Sequence, residues 1–164
     1  MGIQAQPRKL FGRFKFNVLD LNRGLVTSAF RTASGLKFNI AKIEYWEGGS
    51  LISFKEPGRV TFDDLTLERG VFWQRDFYDW VLQVVNLIKY APGGGGDVDD
   101  SYKRSLNVQQ LDRNNKPAIG YPVKRAFPIS WAPGDFDNSV DEVSVESLVL
   151  TYEYFTREEI AGAT

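Results

Sequence analysis

The chain has 164 residues, of which 43% are hydrophobic and 25% charged, as expected for one soluble globular domain over residues 1–164. It contains neither Cys nor His, which excludes disulfides, thiolate nucleophiles, Cys or His zinc sites and the usual catalytic proton shuttle. A formal charge of −1 and the lack of a membrane-length apolar run predict a protein that is made in the cytoplasm and binds neither a nucleic-acid backbone nor a bilayer.

The N-terminal segment predicts a mobile arm and then two strands. Residues 1–12 show no hydrophobic periodicity, so we expect a flexible arm. Phe14, Phe16 and Val18 then alternate with polar residues, which is typical of a half-buried strand. A second alternation follows over residues 36–45, and its change of phase predicts a bulge near Ala41–Lys42.

The next segment predicts a loop between short strands. Gly48 and Gly49 indicate a loop tip, after which residues 51–55 return as a short strand. Pro57 and Gly58 end that strand, and residues 59–68 form another one.

Only one segment has the period of a helix. Phe77, Trp80 and Val84 recur at steps of three and four residues, which predicts a helix over about 75–90. A Gly/Asp-rich loop over about 91–101 follows, because four consecutive glycines cannot sustain a helix.

The C-terminal part predicts further strands. Alternation over residues 105–112 and 118–127 indicates a hairpin, and Pro122 and Pro128 favour an edge or a bulge for its second strand. Residues 142–155 contain no Gly or Pro and predict one unusually long final strand whose phase changes midway.

These elements predict a mainly β fold, an antiparallel β-barrel or sandwich with one α-helix. Residues in phase with aliphatic neighbours are expected to form the core and to pack against the helix: Phe14, Phe16, Phe38, Phe77, Trp80, Val84, Leu148 and Leu150.

No pattern predicts catalysis, a metal site or a cofactor. The glycines at 93–96 lack the Lys-Ser or Lys-Thr of a phosphate loop and precede carboxylates that would repel phosphate. Asp97 and Asp99 lack the Gly and Glu that a calcium loop requires. Trp46, Trp73 and Trp131 lie at strand ends or in loops, where a carbohydrate-binding platform and a subunit interface both remain open interpretations.

Several short motifs, taken in order, resemble one family. They are Phe14–Val18, Ala33–Leu36, Ile43–Gly49 (IEYWEGG), Pro57-Gly58, Leu65–Gly70 (LTLERG), Asp76–Trp80, Ala126–Pro128 with Trp131, and Asn138–Leu148. Each motif alone is weak, but their collinear order over residues 13–155 resembles the tail tube proteins of contractile phage tails and extracellular contractile injection systems.

The resemblance implies a structural, non-enzymatic inner tube subunit without cofactors. Its hexameric rings would stack into a hollow tube inside a sheath, with baseplate and cap proteins as further partners and cargo, an effector protein or DNA, in the lumen. The subunit would belong to a phage tail or a phage tail-like particle. The long segment 93–100 leaves open a tube-initiating or terminal-ring paralogue at the baseplate, and a carbohydrate-binding β-sandwich module is the alternative from another class.

Two sets of residues are candidates for assembly roles. The expected inter-ring contact residues are Glu44, Tyr45, Trp46, Glu47, Gly48, Gly49, Pro57 and Gly58. If the helix covers the apolar side of the sheet, the residues expected to face the lumen are Lys37, Asn39, Ser144 and Glu146.

Overall fold

The computed structural model describes residues 11–12, 15–22, 30–90 and 100–160, except for the side chains of 87–90. Its elements are β1 (Phe16–Asp20), β2 (Phe30–Ser34), β3 (Phe38–Tyr45), β4 (Phe54–Phe62), β5 (Leu65–Gly70), α1 (Asp76–Tyr90), a short 3-10 helix (Asp100–Tyr102), β6 (Arg104–Leu111), β7 (Pro117–Ala132), β8 (Val145–Thr151), β9 (Tyr154–Phe155) and β10 (Glu158–Glu159). The mainly β, antiparallel fold with one α-helix is confirmed. The predicted arm over 1–12 and loop over 91–101 lie almost wholly outside the described residues.

One long strand, β7, organises the main sheet, whose antiparallel order is β1-β6-β7-β8-β5-β2. β6 pairs with β7 as far as Ala126, and β8 pairs with it from Phe127 to Ala132. At the junction Arg125 has a φ of 54°, and the register shifts there. We call β1, β6 and β7 up to Ala126 the β6 half, and β7 from Phe127, β8, β5 and β2 the β8 half.

From Pro117 to Ala126 β7 has strand partners on both sides, so an edge position for Pro122 is wrong. The part from Phe127 to Ala132, which contains Pro128, pairs only with β8 among the described residues and is an edge, as predicted. Pro128 lies at a register shift between Pro128 and Ser130, and a bulge is one of the few places where a sheet accepts proline. Pro122 still takes part in the ladder through its carbonyl oxygen, which accepts a hydrogen bond from the Thr156 backbone at 3.2 Å.

The C-terminal segment follows β7 in three pieces. The pairs Phe127↔Thr151, Val123↔Phe155 and Gly120↔Glu158 keep one register, so β8, β9 and β10 lie along the same edge of β7. The predicted single strand over 142–155 is therefore wrong in its bounds. It starts only at Val145 and is interrupted after Thr151, opposite the irregular backbone at Arg125.

The long hairpin formed by β2 to β5 projects beyond the sheet. The pairs Ser34↔Thr66 and Phe38↔Phe62 share one register across the gap between β2 and β3. Gly35 lies in that gap with a φ of 100°, and a Cβ there would come within 2.0 Å of the Asp64 carbonyl oxygen. Only glycine fits such a position, so the hairpin bends there into a two-stranded ribbon. We call residues 38–62 the ribbon.

The ribbon differs from the two separate strands predicted over 51–55 and 59–68. β4 continues through Pro57 and Gly58. In a two-stranded ribbon, one edge of each strand has no hydrogen-bonded neighbour, so a proline can be accommodated there without the loss of a ladder hydrogen bond. The predicted bulge near Ala41–Lys42 is present as a register shift between Ile40 and Lys42.

The core lies between the two halves of the sheet and α1. Fully buried side chains include Phe77 and Trp80 of α1 and Leu148 and Leu150 of β8. Phe16 packs against this cluster and Val84 is partly buried, whereas Phe14 lies outside the described residues. The assignment of Phe38 to the core is wrong, since its side chain is 53% exposed. It lies at the base of the ribbon, where its ring contacts the rings of Phe62 and Phe155.

Candidate assembly surfaces

The ribbon exposes apolar side chains on both of its strands. Leu51 and Ile52 at the tip are 97% and 77% exposed, and Trp46 is 64% exposed. The other exposed apolar side chains of the ribbon are Phe38, Ile40, Ile43, Tyr45, Phe54 and Val60. A two-stranded hairpin is at best marginally stable in water, and monomers rarely expose so large an apolar surface. The ribbon therefore has the character of a contact surface.

The predicted inter-ring contact residues lie in the distal part of the ribbon. Tyr45 stacks on Phe54 with ring centroids 5.2 Å apart, and the Glu44 carboxylate pairs with Lys42 and Lys55 at 2.8 and 3.7 Å. The other members of the set, all exposed except the partly buried Gly58, are Trp46, Glu47, Gly48, Gly49, Pro57 and Gly58. Their contact role stays a prediction.

Sequence reasoning missed the two most exposed members of this surface. It assigned Leu51 and Ile52 to a short return strand, but the chain forms a bend there, stabilised by the Ser50 hydroxyl, which accepts from the Ile52 backbone at 3.2 Å. Two consecutive branched residues directly after Gly48-Gly49-Ser50 could have indicated an apolar tip.

The residues predicted to face the lumen do not share one surface. Lys37 and Asn39 are exposed at the base of the ribbon, and both contact Asp63, at 3.6 and 3.0 Å. Ser144 is partly buried and its hydroxyl oxygen is enclosed. The prediction for Glu146 is wrong, because its side chain is only 6% exposed and belongs to an internal ion cluster.

That cluster centres on Arg69, which is fully buried. Its guanidinium donates to Glu146 Oε1 at 2.6 Å and to Asp76 Oδ2 at 2.9 Å, and it lies over the Phe77 ring at 3.6 Å. Burial alone would lower the pKa of Arg69, but the hydrogen bonds to Asp76 and Glu146 outweigh it and raise that pKa. The cluster joins the start of α1 to β5 and β8, so its role is to hold the helix on the sheet.

Trp131 also belongs to the cluster. Its indole donates to Glu146 Oε2 at 3.1 Å, and its ring lies 5.2 Å from that of Tyr78. The three-tryptophan platform considered for carbohydrate binding is therefore not formed. Of its other two members, Trp46 lies on the ribbon and Trp73 follows β5 as a fully exposed side chain.

A second, exposed charge cluster lies where β7 bends. Arg125 donates to Asp100 Oδ2 at 2.5 Å and to Glu153 Oε1 at 2.7 Å, which ties the 3-10 helix to the turn before β9. The hydrogen bond from Arg125 is the main cause that lowers the pKa of both Asp100 and Glu153.

The β8 half has two chemically different faces. Towards the core it presents Leu65, Leu67, Leu148, Leu150 and the ion cluster. Cross-strand pairs identify the residues that share the opposite face. These pairs are Thr32↔Glu68, Ser34↔Thr66, Glu68↔Ser147, Thr66↔Val149, Ser130↔Val149 and Ala132↔Ser147. We call it the outward face. Its members are partly or fully exposed, and most of them are small hydroxyl residues.

Two strands of the β8 half also have an edge without a strand partner among the described residues. β2 ends the strand order, and β6 does not pair with β7 beyond Ala126. Such edges pair readily with a strand of another chain. A second copy placed alongside could therefore continue the sheet.

Other kinds of site find no support in the part of the chain that the structure describes. Within those residues no helix has the length and apolarity needed to cross a bilayer. In the same ranges no three acidic residues come together as metal ligands would.

Comparison with known proteins shows which family has this architecture. Residues 9–156 match the family described as T4-like virus tail tube protein gp19. No curated protein matches the chain in sequence. Among solved structures, the chain is similar to the tube-terminating cap of the anti-feeding prophage, with 24% identity, a TM-score of 0.76, and 98% of this chain and 100% of that chain covered.

Two further solved structures are similar. A chain of the sheath-tube complex of the PVC extracellular contractile injection system in its extended state has 22% identity and a TM-score of 0.73, covering 92% of this chain and 93% of that chain. A chain of the anti-feeding prophage baseplate has 21% identity and a TM-score of 0.67, covering 98% and 99%. At these identities the likeness shows a shared fold.

Proposed function

This chain belongs to the T4-like virus tail tube protein gp19 family, and on that premise we propose that six copies close into a ring and that rings stack into a hollow tube. The protein is a structural tube subunit and a component of a phage tail or a phage tail-like particle. Its partners are copies of itself, the sheath around the tube, and the baseplate and cap at its ends. Subunits are made and assembled in the cytoplasm, and cargo passes through the lumen.

The observation that carries the proposal is the ribbon. It exposes nine large apolar side chains, and Leu51 and Ile52 at its tip are 97% and 77% exposed. Apolar side chains in water gain about 1.5–3 kcal/mol each when fully buried, so the ribbon favours contact with another protein surface. For a member of the tail tube family, we expect that surface to belong to a second copy of the chain in the adjacent ring.

The free edges of the β8 half supply the contact within a ring. Joining β2 of one copy to β7 of the next would give a continuous sheet of four strands per copy. Six copies at a strand spacing of 4.8 Å and a tilt of 40° would form a wall about 48 Å across, with a bore of about 40 Å inside the side chains. Closure of the ring pairs both free edges of the β8 half.

A terminal ring is the second candidate. The similarity to the tube-terminating cap of the anti-feeding prophage spans 98% of this chain, which favours it. A terminal-ring subunit would form rings that do not elongate, whereas a main tube subunit would form tubes whose length grows with protein concentration.

The test is to raise the concentration of the purified protein and follow its mass and shape. Mass photometry should show hexamers, and negative-stain images should show rings or tubes with a stained centre. A monomer at every concentration, without rings in any image, would overturn the proposal.

Tryptophan fluorescence with added oligosaccharides should stay unchanged, and a saturable shift would favour the carbohydrate-binding alternative.

A further inference from the structure

We propose that an open cavity in the side of the core receives Ile129 of the next copy in the ring, an inference that rests on the proposed function. The cavity measures about 720 Å³ and lies between β2 and the β6 half. Its apolar lining consists of Phe16, Ala33, Leu36, Val108, Tyr121 and Phe155. Val108 is part of the core cluster and the other five pack against it, so the cavity is an unfilled part of the core. Protein interiors rarely leave such space, which indicates that another chain fills it.

The cavity opens along the free edge of β2. Arg31, Thr32 and Ala33, three consecutive residues of that strand, all line it. Side chains alternate between the two faces of a strand, so a cavity behind one face would not meet all three. β2 ends the strand order, and within the described residues no strand pairs with this edge. The opening therefore lies where the proposed sheet passes from one copy to the next.

Ile129 projects from the other free edge, that of β7 in the β8 half. The register shift between Pro128 and Ser130 leaves Ile129 without a partner in β8, and its side chain is 51% exposed. It lies two residues before Trp131, whose partner Leu148 is fully buried in the core, so Ile129 and Trp131 belong to the core side of the sheet. Bulges re-aim side chains, and this one leaves a large apolar group at an edge.

The two edges match in direction and length. Three antiparallel pairings separate β7 from β2, and rotation about the ring axis preserves strand direction, so β7 of one copy and β2 of the next run antiparallel. Pairing residues 127–132 of β7 along the whole of β2 places Ile129 opposite Thr32 or Ala33. Ala33 pairs with Leu67 of the core and so lies on the same side as Ile129. A branched side chain of one edge thereby meets the smallest side chain of the other, in front of the cavity.

Ring closure then completes the core of every copy. Each copy gives its Ile129 to one neighbour and its cavity to the other, as expected for a head-to-tail contact that closes into a ring. Because the added side chain fills apolar space, a subunit in the ring is more stable than a free one.

The chain has no Cys, so an engineered disulfide can test this contact directly. In the variant Ala33→Cys/Ile129→Cys, oxidation of purified rings should join neighbouring copies and give a ladder on a non-reducing gel that ends at six chains. Within one copy, three strand spacings of about 14 Å in total separate the two strands, which is too far for a disulfide. Ala33→Cys/Ser130→Cys is the matched control. Ser130 lies on the same edge but belongs to the outward face, so these chains should stay separate.

An exchange of side-chain size tests whether Ile129 fills the cavity. Ile129→Ala should raise the protein concentration at which mass photometry detects rings about tenfold, because each contact loses an apolar group. Ala33→Leu should also weaken the rings, since its side chain enters the space that Ile129 needs. The double variant should assemble better than either single variant, and circular dichroism checks that all three fold. Val85→Ser, on α1, is the control that should leave ring formation unchanged.

The outcomes separate this inference from the proposed function. Oxidised Ala33→Cys/Ile129→Cys rings without a ladder, or a ladder of equal yield in the Ser130 control, would overturn the inference. A double size variant that assembles no better than the weaker single variant would overturn it too. In each of these cases rings of the unmodified protein would still support the proposed function, whereas an unmodified protein that forms no rings would refute the proposed function itself.

Discussion

The tip of the ribbon gives the sharpest test of how rings stack. In the variant with Leu51→Ser and Ile52→Ser, the subunit should fold normally, because both side chains already face solvent and contribute little to its core. In a tube both would be buried, which is worth about 2 kcal/mol each or about 4 kcal/mol per copy. At 1.4 kcal/mol for a factor of ten, each contact should weaken about a thousandfold, and six contacts act together at every ring junction.

The assay is sedimentation of tubes over a concentration series, with negative-stain images of the pellet and mass photometry of the supernatant. The double variant should yield hexameric rings in the supernatant and no tubes. Val85→Ser is the matched control, since it removes an exposed apolar side chain from α1 and should leave tube formation unchanged. Tubes of the double variant at the same protein concentration as the unmodified chain would refute the reasoning.

Three further predictions concern the fold that presents these surfaces. Gly35→Ala should lower the free energy of unfolding in urea by about 3 kcal/mol because of its positive φ and the close carbonyl, while Gly48→Ala, with open space around its Cα, should change it by less than about 0.5 kcal/mol. Arg69→Met should cost about 3–5 kcal/mol in the same assay, because it leaves two carboxylates enclosed without their cation, and a change below about 1 kcal/mol would contradict the assigned role. Arg125→Gln should raise the pKa of Glu153 towards its ordinary value in an NMR titration. The lowered pKa in the unmodified chain means that this pairing stabilises the fold above the unfolded-state pKa and that the contribution is lost as pH falls through the folded-state pKa, with salt weakening it at this exposed site.

The sequence predicted local elements well where a single periodicity dominates. α1 has an apolar face at helical spacing and acidic residues in its first turn, so its position followed directly. The bulge near Lys42 was visible as a change of phase. In both cases the signal is contained within about ten residues and needs no knowledge of what packs against it.

The errors arose where a tertiary neighbour decides the outcome. Pro122 and Pro128 favoured an edge or a bulge for this part of β7; Pro128 does lie at a bulge, but Pro122 stands in regular register opposite Asn107 and has a second partner strand on its other side. Glu146 was predicted to face the lumen, on the side of the sheet away from the helix, but Arg69, 77 residues earlier in the chain, compensates its charge in the interior. A single sequence does not reveal such a long-range partner.

The assembly surfaces were predicted only in part. Trp46 and the two glycines indicated the distal ribbon, but Leu51 and Ile52 were assigned to a short strand. Their exposure depends on which surfaces the rest of the chain leaves uncovered, and a local pattern does not show that. The outward face went unnoticed for a similar reason. Serine and threonine alternate with leucine in β8 and β5, and only the observed pairing shows that these hydroxyls come together in rows.

The most direct test of the central claim is an end-on view of the assembled protein by cryo-electron microscopy. The account predicts six-fold class averages around a channel of about 40 Å, with the β8 half nearest the axis, α1 outside it, and the ribbon of each copy against the adjacent ring. Class averages without a central channel, or a map in which α1 lines the axis and the ribbon contacts nothing, would contradict it.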